Sequence, residues 1–255
     1  MIVNKITSIR KMSLWIFILS LVSVNICLIF SQILIFNQSD IPELSGSFFY
    51  GWKIYDVGDP IGEKGLPWII PYFDGVASIS RVVRVYPNYL IFKSAMLITS
   101  ILLIKYWVLN KYLLLDLNIH HKDINKFLYF GVSSAVFLVF HSIFLGIEID
   151  LSIYKFFRRV VLLLFIIFEI LAQFYLIKIF IQKKQELKNF INLRILLIKK
   201  TLIYILIIVA ILIFPFLPFN NLKTLKHILE WNYFLGIIIF YLLTFLMWKK
   251  SNKIK

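Results

Sequence analysis

Six long apolar runs dominate the chain, at roughly 13–36, 89–109, 127–147, 159–181, 200–219 and 231–248, and short clusters of lysine, arginine, asparagine and aspartate separate them. Each run is close to the ~20 residues a helix needs to cross a hydrocarbon core. None shows the in–out alternation over about ten residues that marks a barrel strand. A backbone in lipid must satisfy its own hydrogen bonds, which leaves helices. The pattern predicts an all-α polytopic membrane protein. Its six transmembrane helices form one bundle, and 1–255 is a single domain. No small-residue cleavage site follows the first run, which predicts a retained span rather than a signal peptide.

The breaks are unequal. The one between the first and second runs, 37–88, is much longer than the rest and carries "FFYGWKIYDVGDPIGEKGLPWIIPYFDG". Aromatics at this density belong at a headgroup layer. Glycines and prolines act here as turn punctuation. This stretch is expected to form a compact extracytoplasmic cap, with a short β-hairpin or two within it.

Composition agrees with this picture: 60% of residues are hydrophobic and only 16% charged, too few to cover a soluble domain of this length. Charge then sets the orientation. With the N-terminus cytoplasmic, 18 of the 28 lysines and arginines fall on the inner side, against Asp116, Asp123 and Glu186 as the inner acids. The lysine and arginine bias therefore puts both termini in the cytoplasm and the long first loop outside. The net charge of +15 needs no nucleic acid, because inner loops of this kind face anionic lipid. The single cysteine, Cys27, has no partner for a disulfide or a thiol metal site. His120 and His121 are adjacent and lack ligand-spaced partners, so no metal and no cofactor are expected.

Ionisable residues inside the runs carry the candidate chemistry. Glu169 lies near the middle of the fourth run, and Gln173, four residues on, shares its helix face. In the third run Ser134 and His141 are seven apart on one face. An antiparallel neighbour would bring the two stripes together, either as an interhelical hydrogen-bond clamp or as a polar cavity open to the outer leaflet. Glu169 with His141 is the one buried acid–base pair an enzyme would use. At the outer mouth, Asp74, Ser78, Ser80, Arg81 and Arg84 precede the second run, and Lys93 lies in its first turn. They would anchor the interface, or clamp a headgroup by forking two guanidinium groups onto a phosphate. Glu230 opens the sixth run, where the helix dipole favours an anion. It would also be able to pair with Arg81 or Arg84. The expectation is that this collar and the Glu169, Gln173 and His141 stripe serve one pocket. Gly131, Ser134, Ala172 and Gly236 supply small residues for close helix packing.

"SISRVVRVYPNYLIFK" resembles the segment before the second span in the Frag/DRAM/Sfk family, through Ser78, Ser80, Pro87, Phe92 and Lys93. "PYFDG" at 71–75 is similar to the same region of the family's autophagy-modulator branch. "LKHILEWNYFLGIIIFYLLTF" resembles the family's last span through Glu230, Trp231, Thr244 and Phe245. The family's histidine between the third and fourth spans has no counterpart, with Glu148, Tyr154 and Lys155 in that region instead. The resemblance implies six spans and lipid-related work, such as remodelling of GPI lipids or organisation of phospholipids.

Three functions follow as expectations. The first is a lipid-handling protein that binds a phospholipid or glycolipid headgroup at the outer mouth. The second is a non-catalytic scaffold that docks a cytoplasmic or membrane partner through basic inner loops, above all 183–200. The third is a small proton-coupled carrier using Glu169.

Overall fold

The computed structural model describes residues 2–40, 70–83, 87–119, 121–145, 152–213 and 222–249, with side chains 33–40, 152, 155 and 213 not described. These residues are helical, without strands. Six helices are long and apolar enough to cross a membrane: α1 (Ile2–Asp40), α4 (Asn88–Asp116), α5 (Ile124–Phe144), α6 (Ser152–Gln182), α8 (Leu193–Ile213) and α9 (Lys223–Met247). Three one-turn helices join them: α2 (Pro71–Asp74), α3 (Ile79–Val82) and α7 (Lys184–Leu187).

The long helices form a ring in chain order. Helix α1 packs on α4, α4 on α5, α5 on α6, α6 on α8, α8 on α9, and α9 closes on α1. Close approach explains part of this order. Gly131 of α5 lies flat against the Trp107 indole of α4, where a Cβ would come within 2.4 Å of the ring. Gly236 of α9 does the same against Leu206 of α8. Outward faces carry Ile98, Ile101, Phe140, Ile143, Ile167, Ile208 and Ile211, all exposed, as helices bathed in acyl chains require.

The two ends of the ring differ. At one end Lys5 pairs with Asp116 at 2.7 Å and Arg10 Nε donates to the Phe245 carbonyl at 3.2 Å. There too a two-residue bridge, Asn192 N–H to Met247 O and Lys249 N–H to Phe190 O, fastens the start of α8 to the end of α9. This is the lysine-rich end. At the other end, residues 70–83 form a small roof over α1 and α9.

The fifth span is shifted from its expected place. The apolar run suggested 200–219, but α8 starts at Leu193, so Arg194, Lys199 and Lys200 are all inside it. Lys199 therefore does not belong to a solvated basic loop. Its side chain is fully buried. Helix α1 continues to Asp40, into the start of the expected 37–88 cap. Residues 70–83 are helical turns, and the rest of the expected cap, 41–69 and 84–86, lies outside the described residues.

Candidate functional site

The ring interior holds a polar cluster at mid-depth. Glu169 of α6 is 1% exposed and accepts three hydrogen bonds. Ser134 of α5 donates to Oε2 at 2.6 Å, Gln173 donates to Oε1 at 2.9 Å, and the Tyr241 hydroxyl of α9 donates to Oε1. One turn deeper toward the lysine-rich end is a second group. Lys199 Nζ donates to the Thr244 hydroxyl at 2.6 Å and lies 3.7 Å from the centre of the Phe240 ring. Thr244 also meets the Tyr106 hydroxyl at 3.4 Å, and the Tyr106 and Tyr241 rings are edge-on at 5.1 Å. Five of the six long helices thus contribute to one chain of side chains, from Glu169 through the two tyrosines and Thr244 to Lys199.

Helix geometry explains the convergence. Leu196, Lys199, Ile203 and Leu206 are all buried and spaced by three or four residues, so they form one inward stripe of α8. Tyr241 and Thr244 are likewise three apart on α9. A buried lysine nitrogen needs partners. Among the described residues it has the Thr244 hydroxyl and the face of the Phe240 ring.

His141 is not in this cluster. It is seven residues beyond Ser134 on α5, about 10 Å toward the roof at 1.5 Å per residue. Its ring meets Phe92 at 6.5 Å. The collar is also separate. Glu230 precedes Tyr241 by eleven residues, about 16 Å along α9, which exceeds a helix diameter. The expectation of a single outward pocket shared by Glu169, His141 and the collar gives way to two sites: a mid-depth polar chain that extends toward the lysine-rich end, and a separate rim at the roof end.

At the rim, both carboxylates are engaged by backbone. Asp74 accepts from the Ile70 and Val76 amides at 2.6 and 3.0 Å, closing the α2 turn. Glu230 accepts from the amides of Ile79 and Ser80. Ser78 caps α3 by accepting from the Arg81 amide at 3.2 Å. Trp231 Nε1 donates to the Ala77 carbonyl at 2.8 Å and His227 Nδ1 to that of Gly75 at 2.8 Å. Asn88, fully buried, donates to the Cys27 and Val82 carbonyls at 2.8 and 2.9 Å and to Ser31 Oγ at 2.7 Å. Residues 77–80 are therefore docked onto the Glu230–Trp231 pair. Lys93 lies 5.3 Å from the Tyr89 ring centre, and Arg158 lies 5.8 Å from that of Tyr154. The Nε of Arg158 is buried and has no hydrogen-bond partner among the described residues. Arg84 lies outside the described residues.

At the opposite end, Asp123 is buried between Lys178 at 2.8 Å, Lys126 at 3.4 Å and His121 at 3.7 Å. The hydrogen bond from Lys178 holds its carboxylate below the usual range, against the opposing effect of burial. Among the described residues, no group of three His, Cys, Asp or Glu side chains is placed to hold a metal.

Lys199, Tyr106, Tyr241 and Asn88 were not anticipated as a set. Lys199 falls in the basic stretch expected to be an inner loop, and the tyrosine contacts depend on helix order.

Fold and site together define the class: a multi-pass helical membrane protein with a polar interior. No family model matches the chain, and no curated protein and no solved structure is similar to it.

Proposed function

We propose that the protein handles lipids, taking a phosphate-bearing phospholipid or glycolipid headgroup at the roof end. The observation that carries this reading is Arg158, whose Nε is buried without a partner among the described residues. A guanidinium donates in a fork that suits phosphate oxygens. Arg81 and Lys93 are further cations of this end. Asp74 and Glu230 each accept from backbone amides, and no ion pair is formed between either of them and Arg158 among the described residues. Membership of the Frag/DRAM/Sfk family is part of the same proposal. It rests on the sequence resemblance at Ser78, Ser80, Pro87, Phe92, Lys93, Glu230 and Trp231. The test is native mass spectrometry of the purified protein. Arg158→Ala with Arg81→Ala should lose co-purifying phospholipid, and unchanged lipid would overturn the reading.

One observation favours a second reading, a proton-linked carrier. Glu169 and Lys199 are both buried in the ring and joined through Tyr241, Tyr106 and Thr244. Under that reading Glu169→Gln abolishes a pH-gradient-driven flux in proteoliposomes while lipid binding persists.

A further inference from the structure

A surface groove of about 420 Å³ opens at the lysine-rich end, lined by Lys111, Leu115, His121, Lys122, Ile124 and Asn125. That volume is in the range of small-ligand sites. The acids nearby are already committed: Asp116 to Lys5, Asp123 to Lys178 and Lys126, and Glu186 to Lys183. Lys111 and Lys122 have neither an ion pair nor a hydrogen bond among the described residues. His121 forms a fixed wall. Its Nδ1 accepts from the Asp123 amide at 3.1 Å, so its Nε2 donates to Gln182. The groove thus offers two ammonium groups and the Asn125 amide, with no carboxylate in its lining. It lies between the ends of two apolar helices, α4 ending at Asp116 and α5 starting at Ile124. Exposed Tyr112 and Tyr129 near it are the aromatics expected at such a level.

We propose that this groove binds the phosphate headgroup of an anionic phospholipid from the leaflet at the lysine-rich end. It is a second lipid site, distinct from the roof-end rim and independent of Arg158. A lysine near an anionic leaflet is worth roughly fivefold in binding, so the pair contributes about 25-fold.

The test uses the full chain in nanodiscs of phosphatidylcholine with added phosphatidylserine, with bound phosphatidylserine read by native mass spectrometry. Lys111→Gln with Lys122→Gln should weaken retention about 25-fold, and the Lys→Arg pair should restore it. Arg158→Ala should leave it unchanged, which separates this site from the rim. Unchanged retention in the Gln pair overturns the proposal. A fold defect in the Gln pair is distinguished by its melting temperature, and the Arg pair then decides: loss of lipid in a stable Arg pair also overturns it. A third arm adds soluble glycerol phosphate. If it displaces the lipid at matched concentration, the groove recognises free phosphate compounds and the lipid assignment fails.

Discussion

Replacing Glu169 with leucine removes the acceptor for three donors, and they are not equally stranded. Ser134 keeps a second acceptor, the Gly131 carbonyl at 2.8 Å. Gln173 keeps only a long contact to the Ile237 carbonyl at 3.4 Å. The Tyr241 hydroxyl donates only to Glu169. A buried donor left unsatisfied costs about 1–3 kcal/mol. The expected loss for Glu169→Leu is therefore about 2–4 kcal/mol, most of it from Tyr241 and the rest from Gln173. Tyr241→Phe alone removes one of three bonds and should cost about 1 kcal/mol. The double variant should be less destabilised than the sum, by about 1–2 kcal/mol, because phenylalanine has no hydroxyl to strand. Hydrogen bonds between membrane helices average about 0.6 kcal/mol in double-mutant cycles, so a coupling above that is the distinguishing result. Equilibrium unfolding in mixed detergent micelles measures all four proteins. Additive losses, within about 0.3 kcal/mol, would refute the assignment of Glu169 as the acceptor that organises the interior.

Further outcomes follow from other contacts. Gly75 has φ +61°, and a Cβ there would meet the Thr224 carbonyl at 2.2 Å, so Gly75→Ala should loosen the roof by at least about 1 kcal/mol and speed proteolysis of 70–83. Gly131→Ala drives a methyl into the Trp107 ring and should cost about 1–3 kcal/mol in melting experiments, unless Trp107 is also made smaller. The depressed Asp123 carboxylate stabilises the fold above its ordinary value of 3.8 and loses this effect as pH falls through its lower folded value. The melting-temperature gap between wild type and Asp123→Asn should hold from about pH 7 to 5 and narrow below about pH 4. A gap that stays constant throughout contradicts that linkage.

Much of the architecture was legible because hydrocarbon is an undemanding solvent to read: apolar length sets the spans. Glu169, Gln173 and Ser134 were also legible, since helical spacing put them on facing stripes and the structure joins them at 2.6 and 2.9 Å. Lys199 was not. Positive charge near a span end normally marks a headgroup, and the adjacent Lys200, stacked near Tyr204, fits that rule while its neighbour does not. His141 was misplaced relative to Glu169 because sharing a face says nothing about depth. Two turns of α5 separate His141 from Ser134, so its ring meets Phe92 instead. Asn88 was passed over because an asparagine after a proline reads as a turn residue. Its amide instead ties α1 to the roof through three acceptors.

The roof-end headgroup is the claim on which the functional account turns. An experimental density map of the protein in phospholipid nanodiscs tests it most directly. The account predicts a phosphate within about 3 Å of Arg158 Nε, the distance of a charged hydrogen bond. Acyl chain or a protein carboxylate filling that position instead would contradict it.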